Sequence, residues 1–379
     1  MSIYFDNATT AHPRPGEVIA AIQEAFGRYG ASPGRGGNSM STDSSRVVFA
    51  TRELIANLFH APEAERVIFT SNATFGLNTA IKGLLQRGDH VIISPLEHNS
   101  VYRPVRYLQH KRIIEVSEAS CCQEGYIDLH HLQTLFRVNT RMVVINHGSN
   151  VLGSVQPIRE IGALCRDKGA VLVVDAAQTA GLIPIDVQKD HIDILVFSGH
   201  KKLYGPPGVG GMVLGGDLQI EPLLQGGTGS RSESDMHPGF YPDRLEAGTP
   251  NTPGIIGLKA GIEWINYQGM EAIHSHVMAL TSRLLEELRT LSGITIHGPK
   301  SLENRLPLVS VTIEGEDPAE TAHRLDRDHG IMTRPGLQCA PMAHKAVGTF
   351  PQGTLRFSPG AFNTMQDVER VVEALMSEK

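Results

Sequence analysis

The sequence predicts an α/β protein built on a mostly parallel sheet, followed by a smaller α+β unit. Three observations carry this. Apolar, largely β-branched runs at 67–70, 90–94, 113–116, 141–146, 170–174 and 192–197 alternate with segments of helical apolar spacing. The run 170–174 is apolar throughout and 192–197 nearly so, as in strands buried on both faces of a parallel sheet. Polar residues also collect where the runs end: His98 after the second, Asn150 after 141–146, Asp175 directly after 170–174, and Ser198-Gly199-His200-Lys201 after 192–197. Open α/β sheets bind ligands at the carboxyl ends of their strands.

Taken in order, Ile3-Tyr4-Phe5 is strand-like and leads into the polar turn Asp6-Asn7-Ala8-Thr9-Thr10. Residues 17–29 have Val18, Ile19, Ile22 and Phe26 at helical spacing. The glycine-rich loop Ser32-Pro33-Gly34-Arg35-Gly36-Gly37-Asn38 precedes a second amphipathic helix, 46–59. After strand 67–70, Ser71-Asn72-Ala73-Thr74-Phe75-Gly76 opens a helix that runs to about residue 85. Small polar residues there either cap the helix or present free N–H groups to an anion such as a cofactor phosphate. Strand 90–94, helix 102–110 and strand 113–116 follow, then Cys121-Cys122 in a polar loop to which no chemistry is assigned. Strand 141–146 leads to helix 157–168, where Cys165 shares the apolar face and reads as a small core residue.

Beyond strands 170–174 and 192–197 come a glycine- and proline-rich loop, 203–211, and a short strand, 211–214. Residues 225–249 lack regular pattern over a length that, inside a compact domain, marks a functional segment or one reaching a neighbouring subunit. Residues 254–291 are mostly helical and bridge to strands at 294–297, 308–312 and 354–358 and helices at 319–329 and 366–377, with an antiparallel or mixed sheet. Thr333-Arg334-Pro335-Gly336-Leu337-Gln338-Cys339-Ala340-Pro341 is expected to be non-helical and to offer the Cys339 thiol on a tight loop. The division expected is a large domain, 16–255, and a small one made of 1–15 and 256–379.

Composition narrows the function classes. A chain of 379 residues with 41% hydrophobic and 20% charged residues is an ordinary globular protein, long enough for two domains. A formal charge of −6 provides no basic surface for nucleic acid or anionic lipid, so neither is expected as a partner. Four cysteines in this length are no disulfide framework. No apolar run reaches membrane-spanning length, and MSIYFDNATT has no signal-peptide character. A cytoplasmic protein with reduced thiols is expected.

An acid and an amine at two strand ends, Asp175 and Lys201, suit pyridoxal 5'-phosphate, whose aldehyde needs a lysine and whose ring nitrogen needs an anion. The wider set of motifs resembles the class V aminotransferase-like pyridoxal phosphate enzymes, and within them the cysteine desulfurase and selenocysteine lyase branch. The resemblance runs through nearly the whole chain. Its motifs are Asp6-Asn7-Ala8-Thr9-Thr10, Gly34-Arg35-Gly36-Gly37, Ser71-Asn72-Ala73-Thr74, Glu97-His98-Asn99 and Ser149-Asn150-Val151-Leu152-Gly153. They continue with Val174-Asp175-Ala176-Ala177-Gln178, Ser198-Gly199-His200-Lys201, Glu246-Ala247-Gly248-Thr249-Pro250-Asn251 and Arg334-Pro335-Gly336-Leu337-Gln338-Cys339-Ala340-Pro341. The resemblance implies fold type I of the pyridoxal phosphate-dependent transferases: a large domain with a mostly parallel seven-stranded sheet and a smaller α+β C-terminal domain.

It also implies roles. Lys201 matches the Schiff-base lysine that, once freed, moves the α-proton; Lys202 would face the other way by strand alternation. Asp175 matches the partner of the ring nitrogen, and His98 the catalytic imidazole stacked on the ring. Gln178 and Asn150 match positions near the ring hydroxyl and the substrate. Ala73 (through its N–H), Thr74, Ser198 and His200 match the phosphate site. Thr249 matches a phosphate ligand supplied by the partner subunit, which implies a homodimer. Arg356 matches the arginine clamping the substrate carboxylate, with Arg334 a second candidate and Asn7 joining Asn150 in the substrate set.

Cys339 distinguishes the reactions. In the resembling enzymes a cysteine on this loop takes the sulfur of L-cysteine as a persulfide, releases L-alanine, and passes the sulfur to an acceptor protein. The short Arg-x-Gly-x-x-Cys-Ala form resembles the second, compact-loop group of desulfurases. Two residues depart from the common pattern: Asn38 and Gln338 stand where relatives often have histidine. L-Selenocysteine is an alternative substrate. Another class V reaction with Cys339 incidental (aminotransferase, lyase or epimerase) and a cofactor-binding scaffold without turnover are the other readings, the last opposed by the intact Lys201, Asp175 and Arg356.

Overall fold

The strands Val67–Thr70, His90–Ile93, Val171–Asp175, Ile194–Ser198 and Gly210–Leu214 are buried at every residue, and this is why their sequences run apolar without alternation, with polar side chains only at their ends. The computed structural model describes residues 2–34 and 37–377. Arg35 and Gly36 of the early glycine loop lie outside the described residues. In chain order the elements begin with β1 (Ile3–Tyr4), α1 (Gly16–Arg28), α2 (Ser39–Phe59), β2 (Val67–Thr70), α3 (Ala73–Leu84), β3 (His90–Ile93) and α4 (Asn99–His110). They continue with β4 (Glu115–Glu118), α5 (Leu129–Thr134), β5 (Thr140–Asn146), α6 (Ile158–Lys168), β6 (Val171–Asp175), β7 (Ile194–Ser198) and β8 (Gly210–Leu214). The remainder comprises α7 (Thr252–Gln268), α8 (Met270–Thr290), β9 (Ile294–His297), β10 (Val309–Ile313), α9 (Pro318–His329), β11 (Ile331–Met332), β12 (Arg334–Gly336), α10 (Pro341–Val347), β13 (Thr354–Phe357) and α11 (Met365–Ser377).

The large sheet has seven strands in the order β2–β8–β7–β6–β5–β3–β4. Strands β7, β6, β5, β3 and β4 run parallel, and β8 is antiparallel to both of its neighbours. Strand alternation sorts the core into two layers. Val143, Leu172 and Leu195 face the layer holding Ile55, Phe59, Ile161, Leu258 and Ile262. Their chain neighbours Val144, Val173 and Val196 face Leu77, Ile81, Val101 and Val105 on the other side. The smaller sheet, β12–β13–β10–β9, is wholly antiparallel. Its core includes Val309, Leu355, Phe357, Leu284, Leu325 and Val371 together with Ile3 and Phe5 of the N-terminal arm. That arm is anchored by β1 pairing with β11 and by a bridge from Asp6 to Ser358.

The predicted architecture is found, with local differences that have physical causes. Helix α2 starts at Ser39, where Asn38 accepts a hydrogen bond from Ser41 N–H as N-cap; its polar first turns carry no apolar periodicity. Strand β4 lies two residues later than its apolar run, because as an edge strand it is incompletely buried. The predicted helix 254–291 is two helices, broken at Gly269 with φ of 85°. Helices α5 and α10 and strands β11 and β12 were not legible, being two to seven residues long. Residues 225–249 contain no helix or strand. Among the described residues no helix is long and apolar enough to cross a membrane.

Candidate active site

Parallel pairing sends the carboxyl ends of β3, β5, β6 and β7 to one edge of the sheet, and the register sets Asn146 of β5 beside Asp175 of β6. A cavity of about 230 Å³ opens along this edge. Its wall takes Asn72, Ala73 and Thr74 from the turn into α3, His98 and Ser100 from the start of α4, and Asn146, Gly148 and Asn150 from the end of β5. Asp175, Ala177 and Gln178 follow β6, and Ser198, His200 and Lys201 follow β7. The opposite wall comes from Ala8 and Thr9 of the N-terminal arm and from Arg334, Gln338, Cys339 and Arg356 of the small sheet and its loop. The tight passage after β7 requires glycine, since a Cβ on Gly199 would lie 2.7 Å from Val209 O.

Burial governs the ionisable groups. Asp175 is 6% exposed and accepts from Ala177 N–H at 2.9 Å; burial raises its pKa, with that bond and Lys201 opposing. Burial lowers the pKa of Lys201 against the pull of Asp175, favouring a free amine. Lys202 is buried away from the cavity lining, its pKa lowered by burial to about 8. His98 caps α4: its Nδ1 accepts from Ser100 N–H at 3.1 Å, so Nε2 carries the proton. Burial, Lys201 and Arg103 lower its pKa to about 4. His200 Nδ1 lies 3.0 Å from Thr10 Oγ1, and burial then Lys201 and Arg14 lower its pKa to about 4.

Arg356 is 2% exposed and is set by three contacts: Nη1 donates to Asn150 O at 2.8 Å, Nη2 to Asp6 Oδ1 at 2.8 Å and to Thr9 Oγ1 at 2.9 Å. Its buried Nε has no hydrogen-bond partner. The β12–β13 register puts Arg334 directly opposite Arg356, so two guanidinium groups share one wall. Such a pair suits a carboxylate ligand. Cys339 is exposed, and its carbonyl accepts from Asn99 N–H at 2.8 Å, which ties the thiol loop to the helix that begins beside His98. By contrast Cys165 is buried, its thiol pushed up to about 12, and Cys121 is pushed up to about 11 by burial.

Of the residues given a site role from the sequence, twelve line this cavity, Ala73, Thr74, His98, Asn150, Asp175, Gln178, Ser198, His200, Lys201, Arg334, Cys339 and Arg356, and the departing residue Gln338 lines it as well. Asn7 does not. Its Nδ2 donates to Tyr4 O and Ser358 O, both at 3.2 Å, and its Oδ1 accepts from His12 N–H, so it braces the arm that presents Ala8 and Thr9. Asn150 faces the cavity but commits its Nδ2 to Gln338 O at 2.7 Å, and Gln178 donates to Ala8 O at 2.9 Å. Thr249 is exposed and lines a second cavity of about 530 Å³ with Arg52, Phe69, Ser71 and Glu246. Asn38 lies outside both linings. Sequence reasoning missed Thr9, Asn72, Ser100 and Asn146; Asn146 could have been found, since it ends a parallel strand next to the one ending in Asp175.

Residues 3–371 match the aminotransferase class-V family. A probable cysteine desulfurase of Methanothermobacter thermautotrophicus is 34% identical, over 98% of this chain and 94% of its own. A cysteine desulfurase of Escherichia coli is 33% identical, over 98% of this chain and 92% of its own. Among solved structures, an apo cysteine desulfurase from Thermococcus onnurineus superposes with a TM-score of 0.91 at 33% identity, covering 100% of this chain and 94% of that one. The Escherichia coli cysteine desulfurase CsdA, in an S-sulfonic acid form, gives 0.88 at 28% identity, covering 99% and 94%. The chain belongs to the class-V aminotransferase family, among its cysteine desulfurases. Enzymes of this family depend in general on pyridoxal phosphate.

Proposed function

We propose that the chain is a pyridoxal phosphate-dependent cysteine desulfurase that converts L-cysteine to L-alanine and holds the sulfur as a persulfide on Cys339. The observation that carries this is that Cys339 lines the same cavity as Lys201, Asp175 and Arg356. The donor set fits the cofactor. Helix geometry leaves the first-turn N–H groups of α3, those of Ala73 and Thr74, without intrahelical acceptors and open to a phosphate. A buried carboxylate and an amine of lowered pKa occupy other parts of the wall.

In this reading Ala73 N–H, Thr74, Ser198 and His200 hold the phosphate, and Thr249 reaches the partner's phosphate in a homodimer. Asp175 would hold the ring nitrogen, and His98, Gln178 and Asn150 would contact the ring. When bound, pyridoxal phosphate supplies the electron sink that allows bonds at the substrate's α- and β-carbons to be broken. Arg356 and Arg334 hold the substrate carboxylate. The Lys201 amine would hold the cofactor and, as a free amine, would move the proton at the substrate's Cα. The Cys339 thiolate accepts the sulfur, and an acceptor protein collects it from a thiol that a short loop keeps at the cavity wall. We also propose the division into a large domain, 16–255, and a small one, 1–15 with 256–379, although the buried face of α7 belongs to the large-sheet core.

The test is turnover by purified protein reconstituted with the cofactor. L-Cysteine should give stoichiometric alanine, with one added sulfur mapping to the Cys339 peptide. Protein that takes up the cofactor yet forms no alanine from either L-cysteine or L-selenocysteine would point to another class V reaction.

A further inference from the structure

The backbone is most unusual at the thiol itself. Gln338 and Cys339 both have left-handed φ, 41° and 59°, a region that residues other than glycine seldom occupy. Two such residues in succession persist only where their surroundings determine the turn. Main-chain contacts supply part of this: Asn150 Nδ2 donates to Gln338 O at 2.7 Å, Asn99 N–H to Cys339 O at 2.8 Å, and Ala340 N–H to Leu337 O at 2.9 Å.

The Gln338 side chain supplies the rest. It is 6% exposed, and its Nε2 donates to Thr354 O at 2.9 Å and Arg334 O at 3.2 Å. Two carbonyl partners settle which end of the amide is nitrogen, so Oε1 is the acceptor, and His344 Nε2 lies 3.0 Å from it. His344 is fully buried, with Nδ1 2.8 Å from Thr349 Oγ1. Burial lowers the pKa of His344 to about 4, so the ring is neutral near pH 7: Nε2–H donates to Gln338, and Nδ1 accepts from Thr349. Every polar atom in this chain of three side chains is therefore paired. The chain also grips Thr354, in the strand that carries Arg356, while Asn150 joins Gln338 O to Arg356 Nη1.

We propose that Gln338 is a positioning residue, whose carboxamide, backed by His344 and Thr349, holds Cys339 in the left-handed turn that keeps its thiol on the cavity wall. Its consequence for turnover rests on the desulfurase reading above; its consequence for the turn does not. Histidine, which resembling enzymes often carry here, presents a ring instead of an amide and cannot reproduce two donors to carbonyls plus one acceptor.

The test uses the holoenzyme, with Gln338→Leu, which keeps the bulk and removes the amide, and Thr349→Val, which cuts only the far end. Two quantities are measured: amide hydrogen exchange across residues 337–343, and kcat and KM for L-cysteine. Gln338→Leu should exchange about 10-fold faster there, with kcat down about 10-fold or more and KM within about 3-fold, because a small displacement of a reacting atom is costly in rate. Thr349→Val should move both in the same direction by a smaller factor. Unchanged exchange in both variants, or kcat of Gln338→Leu within about 2-fold of wild type, overturns the proposal. If Gln338→Leu does not fold, Thr349→Val decides by its exchange rate. If wild type forms no alanine, the desulfurase reading fails while the exchange result still judges the turn.

Discussion

Glu97 shows how much chemistry at single residues depends on burial that a sequence does not display. It precedes His98, is fully buried, and uses Oε1 to accept from Ser94 Oγ at 2.6 Å and Asn146 N–H at 2.9 Å, while Oε2 has no partner. Burial pushes its pKa from 4.5 up to about 8, against those bonds and helped by Asp175. A carboxyl whose folded pKa is raised binds its proton more tightly in the fold than in the unfolded chain. Its contribution is therefore complete below about pH 4.5 and is lost as pH rises towards 8. Glu97→Gln, neutral and of the same shape, should remove this loss, on the order of a few kcal/mol between pH 6 and pH 8.5. Urea denaturation of both proteins at the two pH values measures it, and identical pH dependence would refute the ionisation assigned to Glu97. Asp175 and Lys201 were legible because each interrupts or ends an apolar run. The bracing part of Asn7 was not, because its partner Ser358 is distant in sequence and meets it only through the fold.

Among elements, the strands buried on both sides were read closely, whereas at the sheet edges β2 and β9 were read to the residue, β4 was placed two residues early and β12 was missed. Strands β6 and β7 are apolar up to their last residues, Asp175 and Ser198, because sheet neighbours and two helical layers surround them. Strand β12, Arg334–Gly336, lies at a sheet edge and consists of arginine, proline and glycine, so it shows no apolar alternation. Packing between elements also creates ties that no pattern announces. Arg52 of α2 makes a two-pronged pair with Glu246, at 2.7 and 2.5 Å, with side chains only 7% and 18% exposed. Glu246 Oε1 also accepts from Phe69 N–H in β2, so α2, the strand before the turn into α3 and the segment bearing Thr249 are joined. Arg52→Met should cost about 3–5 kcal/mol, because it leaves a mostly buried carboxylate without its cation. A denaturation measurement showing a loss below about 1 kcal/mol would mean that the pair is replaceable by water.

At the scale of the molecule, one cavity gathers the N-terminal arm, the edge of the large sheet and the small antiparallel sheet, regions hundreds of residues apart in the chain. The sheet edge was legible as a ligand site because parallel strands end on it together. The opposite wall was reached only through the family resemblance, since nothing local to Arg356 or Cys339 says what they face. The exposed Thr249 and the patternless segment before it agree with the proposed homodimer. Light scattering should therefore give twice the 41.1 kDa chain mass, and Thr249→Ala should weaken cofactor binding by about 10-fold, the loss of one charge-assisted hydrogen bond. A monomer with full cofactor affinity would exclude the shared site. The proposed role of Cys339 is to make this cavity the site of a desulfurase. It is tested most directly by alanine formation from L-cysteine in wild type and Cys339→Ala, both loaded with cofactor to the same absorbance. The expected result is steady turnover by wild type and a loss of at least about 100-fold in the variant, in line with removal of a nucleophile. Equal alanine formation by the two proteins would contradict it.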